Sequence, residues 1–269
     1  MQQPIAILDS GVGGLTVAKE VLRQLPRERI IYFGDTARTP YGPRPSEEVK
    51  RFTREIVDYL VQFTPKMIVI ACNTATAVAL EDIQSRVNIP VVGVIYPGAR
   101  AAIGRTQTGY VGVIGTEGTI KSGAYEQALK RLKPHIEVIS QACPTFVPLV
   151  EKGNFCSDET YETVRESLQF LKGSPIDSLI LGCTHYPFLA ETISEVMGPE
   201  VILISSADET AREISTILHD QGKLAGSDVL PIHQFCCSGD PKIFRQIAQQ
   251  WLDEQIELTP VVWQVPKIG

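Results

Sequence analysis

Ile68-Val69-Ile70-Ala71-Cys72-Asn73-Thr74 and Leu179-Ile180-Leu181-Gly182-Cys183-Thr184-His185 are two similar segments of this chain. Each is a short apolar run that ends at a cysteine and continues into polar residues. Runs of this kind, followed by amphipathic stretches, are typical of buried strands in βαβ units. A weaker similarity relates Ile5–Gly11 to Val111–Glu117. Together the two pairs of segments predict an internal duplication.

Short apolar runs alternate with amphipathic stretches along the chain, which predicts an α/β protein with mainly parallel sheets. The predicted strands are Ile5–Leu8, Ile30–Phe33, Met67–Ala71, Val91–Val94, Tyr110–Ile114, Ile136–Ser140, Leu179–Gly182 and Val201–Ile204. Helices are predicted at Ser46–Phe63, from apolar residues at helical spacing, and at Ser157–Leu171, which opens with capping residues. We expect two similar domains, related by a pseudo-two-fold axis, with the active site in the cleft between them.

The chain is expected to cross between the domains twice. The predicted bounds are residues 1–95 with 207–269 for the first domain, and residues 96–206 for the second. The first crossing lies at Tyr96-Pro97-Gly98, which we interpret as a turn, and the return lies near Ser205-Ser206. Helices predicted around Asp208–His219 and Pro241–Trp251 would cover the first domain. Both crossings should act as hinges.

Composition excludes several classes of partner. The chain has 269 residues, with 25 Lys and Arg against 31 Asp and Glu and a net charge of −6. Without a basic cluster, a nucleic-acid-binding protein is disfavoured. The apolar runs are far shorter than the roughly 18 residues of a membrane span, and no secretory signal precedes the first strand. We therefore expect a cytoplasmic protein that binds neither nucleic acid nor membrane.

The cysteines carry the strongest indication of chemistry. They are Cys72, Cys143, Cys156, Cys183, Cys236 and Cys237, with no C-x-x-C pair, so free thiols are expected rather than disulfides. Ligands of parallel sheets bind beyond the carboxyl ends of the strands, where Cys72 and Cys183 stand. A thiol at a helix N-terminus has a lowered pKa and can act as a base or nucleophile. We expect such a lowered pKa for these two cysteines.

Other kinds of site fit the sequence less well. Gly11-Val12-Gly13-Gly14 suggests a dinucleotide site, but Thr16 stands where the fingerprint needs glycine. Cys72, Cys183 and His185 could ligate zinc, although C-x-H is not a usual ligand spacing. No strand-end motif supplies a lysine for pyridoxal phosphate, and a two-lobed binding protein would need neither thiol. Two facing thiols fit a two-base reaction, in which one removes a proton from carbon and the other protonates the opposite face.

Four motifs together resemble the cofactor-independent glutamate racemases, within the aspartate/glutamate racemase superfamily. They are Asp9-Ser10-Gly11-Val12-Gly13-Gly14, Pro40-Tyr41-Gly42, Cys72-Asn73-Thr74-Ala75 and Gly182-Cys183-Thr184-His185-Tyr186-Pro187. The resemblance extends along essentially the whole chain. It implies interconversion of L- and D-glutamate without cofactor or metal, which supplies D-glutamate for bacterial peptidoglycan. Aspartate or a hydantoin is the alternative substrate, and a homodimer is the expected assembly.

The resemblance also implies roles for individual residues. Cys72 would act on the D-enantiomer with Asp9 beside it, and Cys183 on the L-enantiomer with His185 beside it. Glu151 matches a further family carboxylate, although its neighbours Lys152-Gly153-Asn154 also fit an exposed loop. The substrate-binding residues would be Asp9, Ser10, Tyr41, Gly42, Asn73, Thr74, Thr184 and His185. Because the four motifs hold no Lys or Arg, the substrate carboxylates would be held chiefly by neutral donors and helix N-termini.

Overall fold

The apolar runs form two parallel β-sheets. The computed structural model describes residues 3–153, 155, 157–226 and 231–252. The strands within these ranges are β1 (Ile5–Asp9), β2 (Ile30–Gly34), β3 (Met67–Ile70), β4 (Val91–Gly93), β5 (Tyr110–Gly115), β6 (Glu137–Ala142), β7 (Ser178–Gly182), β8 (Ile202–Ile204) and β9 (Gln234–Cys237). Strands β1, β2, β3 and β7 are buried along their whole length, as expected when helices cover both faces of a parallel sheet.

The two sheets share one strand order. The first is β4-β3-β1-β2-β9 and the second, in the corresponding direction, is β8-β7-β5-β6. Strand β1 therefore corresponds to β5, and β3 corresponds to β7. This shared order supports the duplication, and the predicted α/β class with two parallel sheets flanked by helices is confirmed. It also places Cys72 and Cys183 at equivalent strand ends.

Helices connect the strands and cover the sheets. In the described part of the chain they are α1 (Leu15–Gln24), α2 (Ser46–Leu60), α3 (Asn73–Arg86), α4 (Ile95–Arg105), α5 (Glu117–Lys121), α6 (Ala124–Leu132), α7 (Phe146–Glu151), α8 (Asp158–Ser167), α9 (Ala190–Met197), α10 (Ser206–Asp220) and α11 (Pro241–Trp251). Helix α2 is shorter than predicted, because a 3-10 turn, Val61–Phe63, follows it. Helix α8 is capped by Ser157, whose hydroxyl accepts a hydrogen bond from the Thr160 N–H at 3.1 Å. None of these helices combines the length and apolarity needed to cross a membrane.

The prediction for one connection is wrong, and the prediction for the C-terminal segment is incomplete. Tyr96-Pro97-Gly98 is not a turn, because these residues lie in the first turn of α4. Proline is tolerated there, since the first N–H groups of a helix have no intrahelical partner. The C-terminal segment contributes more than helices, because β9 pairs in parallel with β2 and extends the first sheet.

Several predicted ends also shift by one or two residues. Ala71 and Val94 lie beyond the ends of β3 and β4, and β6 begins at Glu137 rather than Ile136. Cys156 and residues 253–269, part of the predicted first domain, lie outside the described residues.

Candidate active site

Cys72 stands at the junction between β3 and helix α3. It is the residue before the helix and is 5% exposed. The nearby Ser10 side chain and Ala75 backbone favour its thiolate, yet the pKa of the thiol is raised to about 12. Burial is the largest cause, followed by the nearby charge of Asp9. The predicted lowering of this pKa is therefore wrong, and Cys72 is protonated at neutral pH.

Asp9 ends β1 directly beside Cys72 and is completely buried. Its carboxylate accepts hydrogen bonds from the Gly11 N–H at 3.0 Å and the Thr184 hydroxyl at 3.5 Å. Burial raises the pKa of this carboxyl, against the opposing effects of His185 and of these hydrogen bonds. A side chain at Gly14 would place its Cβ 2.5 Å from the Asp9 Cβ, so glycine is required for this close approach.

Cys183 follows β7 and faces a different environment. It precedes a short 3-10 helix, Tyr186–Leu189, so it lacks the full α-helix that follows Cys72. Its Sγ lies 3.8 Å from His185 Nδ1, and the other ring nitrogen, Nε2, lies 3.6 Å from Glu151 Oε1. Burial alone would lower the pKa of His185, but its interactions with the Cys183 thiol and the Glu151 carboxylate outweigh burial and raise this pKa to about 10. A positive imidazolium therefore lies beside the Cys183 sulfur.

Glu151 is the last residue of helix α7 rather than part of a loop. Its side chain is 36% exposed, and the chain turns at Gly153, which has a φ of 72°. Asn154, the next residue of the predicted loop, lies outside the described residues. The structure thus places the Glu151 carboxylate at the partly solvated edge of the Cys183 half of the site.

The loop after β2 is held by a buried carboxylate. Asp35 accepts hydrogen bonds from Arg38 Nε at 2.7 Å, from the Ser238 hydroxyl at 2.6 Å and from the Tyr41 hydroxyl. Ser238 directly follows β9, so the C-terminal segment supports this loop. Because the Tyr41 hydroxyl donates its hydrogen bond to Asp35, the ring and backbone of Tyr41 are the groups left to contact a ligand.

Hydroxyl groups join the two domains beside Cys72. The Thr74 Oγ1 lies 2.9 Å from Thr116 Oγ1 and 3.1 Å from Thr119 Oγ1. The Gly118 N–H donates to the Gly42 carbonyl at 2.9 Å. Sequence reasoning missed Thr116 and Thr119, although a signal was present, because Thr116 aligns with Ser10 in the similarity between Ile5–Gly11 and Val111–Glu117.

The remaining predicted binding residues lie in the same region. Ser10 contacts Cys72, and Asn73 and Thr74 begin helix α3. Thr184 contacts Asp9, and the hydroxyl of Thr184 lies 2.3 Å from where a Cβ on Gly13 would stand. Loops from both domains therefore meet in the region of the two cysteines.

The other described cysteines, Cys143, Cys236 and Cys237, are buried free thiols. Within the described ranges, no three His, Cys, Asp or Glu side chains are grouped as metal ligands.

The family model of Asp/Glu/hydantoin racemases matches residues 9–214. The chain belongs to this family. It is thus an isomerase-class enzyme, as the motifs predict. A glutamate racemase of Bacillus cereus is 57% identical over 257 residues, with 96% of each chain covered.

Solved structures give the same picture. A glutamate racemase isoform from Bacillus anthracis is 50% identical, with a TM-score of 0.91, and the match covers 93% of this chain and 94% of that one. The glutamate racemase of Francisella tularensis, solved with D-glutamate, is 33% identical, also with a TM-score of 0.91, and 99% and 98% of the two chains are covered. The similarity thus extends over nearly the whole chain.

Proposed function

We propose that this chain interconverts L- and D-glutamate without a cofactor, using Cys72 and Cys183 as its two acid–base groups. The observation that carries the proposal is the pair of buried thiols at equivalent strand ends, linked by the contact between Thr184 and Asp9 and provided with unlike partners. The relatives named glutamate racemases support the substrate. Asp9 and His185 are the assisting groups.

The protonation states of the free protein suit one direction of the reaction. Cys72 carries a proton, because burial and the charge of Asp9 raise its pKa. The mechanism needs Cys183 to start as the thiolate, and the positive imidazolium of His185 lies beside its sulfur. Starting from L-glutamate, the Cys183 thiolate takes the α-proton and the electron pair stays on the α-carbon. The Cys72 thiol then donates its proton to the opposite face, which gives D-glutamate.

That turnover leaves Cys72 as the thiolate and Cys183 as the thiol, which is the state required for the reverse reaction. Because one proton passes from the α-carbon to Cys183 and another passes from Cys72 to the α-carbon, the electron pair stays on carbon and no oxidation or reduction occurs. Glu151 supports the cycle by stabilising the imidazolium of His185.

Neutral donors would hold the substrate carboxylates. Ser10, Asn73, Thr74 and Thr184 present side chains at the cleft, and the loop at Tyr41 and Gly42 contributes backbone groups. Helix α3, which begins at Asn73, directs its N-terminal amides to this region. A salt bridge from Arg or Lys is not required for such binding.

Closure of the two domains, 1–95 with 207–269 and 96–206, is part of the proposal. Hinges at the crossings into α4 and α10 would let substrate enter, and closure would exclude water from the carbanion. We further propose that the enzyme works in the cytoplasm as a homodimer and supplies D-glutamate for peptidoglycan and hence cell-wall shape. Light scattering on a sizing column measures the assembly.

The decisive experiment follows the circular dichroism of L-glutamate with purified protein and no added cofactor. We expect full racemisation, unaffected by a chelator or by borohydride. Run in heavy water, early product should carry deuterium at the α-carbon while unreacted substrate carries little, because separate thiols accept and donate the proton. Rapid deuterium uptake into unreacted substrate would refute the two-thiol mechanism, and turnover of aspartate alone would refute the substrate.

A further inference from the structure

The side-chain amide of Asn73 is only half satisfied. Its Oδ1 accepts a hydrogen bond from the Tyr125 hydroxyl at 2.7 Å. Its Nδ2 is buried and has no hydrogen-bond partner among the described residues. A buried amide nitrogen without a partner costs about 1–3 kcal/mol, so this donor is placed where a ligand can accept from it.

Tyr125 reaches Asn73 from the other domain. It lies in helix α6, is 2% exposed, and its ring edge packs against Gly182, where a Cβ would stand 3.1 Å away. Burial raises its pKa, so the hydroxyl stays protonated and serves as a donor. With this hydroxyl donating to Oδ1, the Nδ2 group is left without a protein partner among the described residues and remains available as a donor.

The same hydroxyl also meets both crossings between the domains. It lies near the side chain of Ser206, the first residue of α10. A Cβ on Gly98, in α4, would stand 3.4 Å from it and 3.1 Å from the Ser206 Cβ. Tyr125 therefore contacts Asn73 at a point where the two proposed hinge segments come together.

We propose that Tyr125 is a positioning residue for substrate binding, which holds the Asn73 amide with Nδ2 toward a substrate carboxylate. This inference rests on the proposed function. Tyr125 touches no reacting atom in it. Its hydroxyl acts through Asn73, and it aligns the amide only when the second domain lies against the first.

The test is a double-mutant cycle on the racemisation of glutamate. In Tyr125→Phe the amide can rotate, so KM should rise about three- to tenfold for both enantiomers, in line with the loss of one hydrogen bond, while kcat stays within about twofold. In the Asn73→Ala background the same tyrosine change should alter KM by less than about twofold. Tyr59→Phe, in helix α2 with its hydroxyl 3.9 Å from Cys236, is the control and should leave both constants unchanged.

A second variant separates positioning from folding. Asn73→Asp keeps an oxygen for Tyr125 but removes the N–H donor and adds a negative charge. KM should rise at least tenfold while the melting temperature stays near that of the unmodified protein. An unchanged KM in Asn73→Asp would overturn the proposal, because the amide would then not bind substrate.

Two further outcomes would also overturn it. Equal effects of Tyr125→Phe with and without Asn73 would show that the hydroxyl acts elsewhere. A fall in kcat at constant KM would assign Tyr125 to the chemistry of Cys183. If the unmodified protein neither racemises glutamate nor binds it by calorimetry, the proposed function itself fails, which is a different result from lost coupling in an active enzyme.

Discussion

Removing the charge of Glu151 should shift the alkaline limit of activity without abolishing activity. Opposite charges 3.6 Å apart, the separation of Glu151 Oε1 and His185 Nε2, attract by ~5 kcal/mol at an effective dielectric of 20 and ~1 kcal/mol in water. Because Glu151 is 36% exposed, solvent screening brings the interaction to about 1–2 kcal/mol. A pKa unit corresponds to about 1.4 kcal/mol. In Glu151→Gln the pKa of His185 should thus fall from about 10 to roughly 9.

The sign of the pH effect follows from the charge of the imidazolium. His185 is protonated below its pKa, so the imidazolium is present beside the Cys183 sulfur at pH 7 in both proteins, and kcat/KM should agree within about threefold. Above pH 9 the imidazolium is lost earlier in the variant, and its alkaline limb should move down by about one unit. The measurement is kcat/KM against pH by circular dichroism. Glu195→Gln, an exposed charge change in α9, is the matched control.

Either of two results would refute this reasoning. An alkaline limb that does not move would show that Glu151 has no electrostatic link to His185. A loss of more than about 100-fold at pH 7 would show that Glu151 transfers a proton itself, since that is the scale of general acid–base catalysis.

Three other predictions test separate parts of the structure. Replacing Cys72 or Cys183 by Ser should stop racemisation in both directions, because each turnover needs both thiols; retained turnover of either enantiomer in the circular dichroism assay would contradict this. Asp35→Asn should loosen the loop after β2 and raise KM severalfold, with a smaller change in kcat. An unchanged KM in steady-state kinetics would show that this loop is not part of the binding site. Lys66→Met should lower the free energy of unfolding by about 3–5 kcal/mol in urea, because it leaves the buried carboxylate of Glu28, 2.5 Å away, without its partner; a loss under about 1 kcal/mol would mean that water replaces the lysine.

Local patterns were sufficient to locate both cysteines. Short apolar runs mark strands, and in parallel sheets the residues after such runs gather at one edge, so Cys72 and Cys183 could be assigned to a common region. The repeated pattern also predicted equivalent positions for them. The strand β9 was missed for a physical reason. It is four residues long and pairs with β2 across about 200 residues of chain, so its stability comes from a distant partner that no local period reveals.

The electrostatics of the site were the least predictable property. The helix N-terminus at Cys72 suggested a lowered pKa, but the thiol is buried beside a carboxylate, and burial has the larger effect. Burial depends on which side chains the fold assembles around a group. The contact between the Tyr125 hydroxyl and Asn73 was also unpredictable, because the two residues lie in different domains and Tyr125 belongs to none of the four motifs.

The two thiols occupy equivalent positions but have different neighbours, and the proposed two-base reaction needs this difference. A symmetric pair of half-sites would give both thiols the same protonation tendency, whereas inversion requires one thiol and one thiolate at the start of each turnover. Burial and the charge of Asp9 favour the protonated form of Cys72, whereas Cys183 has the positive imidazolium of His185 beside its sulfur. Because enantiomers have equal free energies, this asymmetry cannot change the equilibrium constant or the ratio of the two kcat/KM values. The asymmetry instead affects which enantiomer the resting enzyme can convert directly. Therefore kcat and KM can each differ between the two directions, while kcat/KM is the same in both. The fold thus supplies two equivalent strand ends, and divergence of the neighbouring residues gives the two thiols unlike electrostatic surroundings.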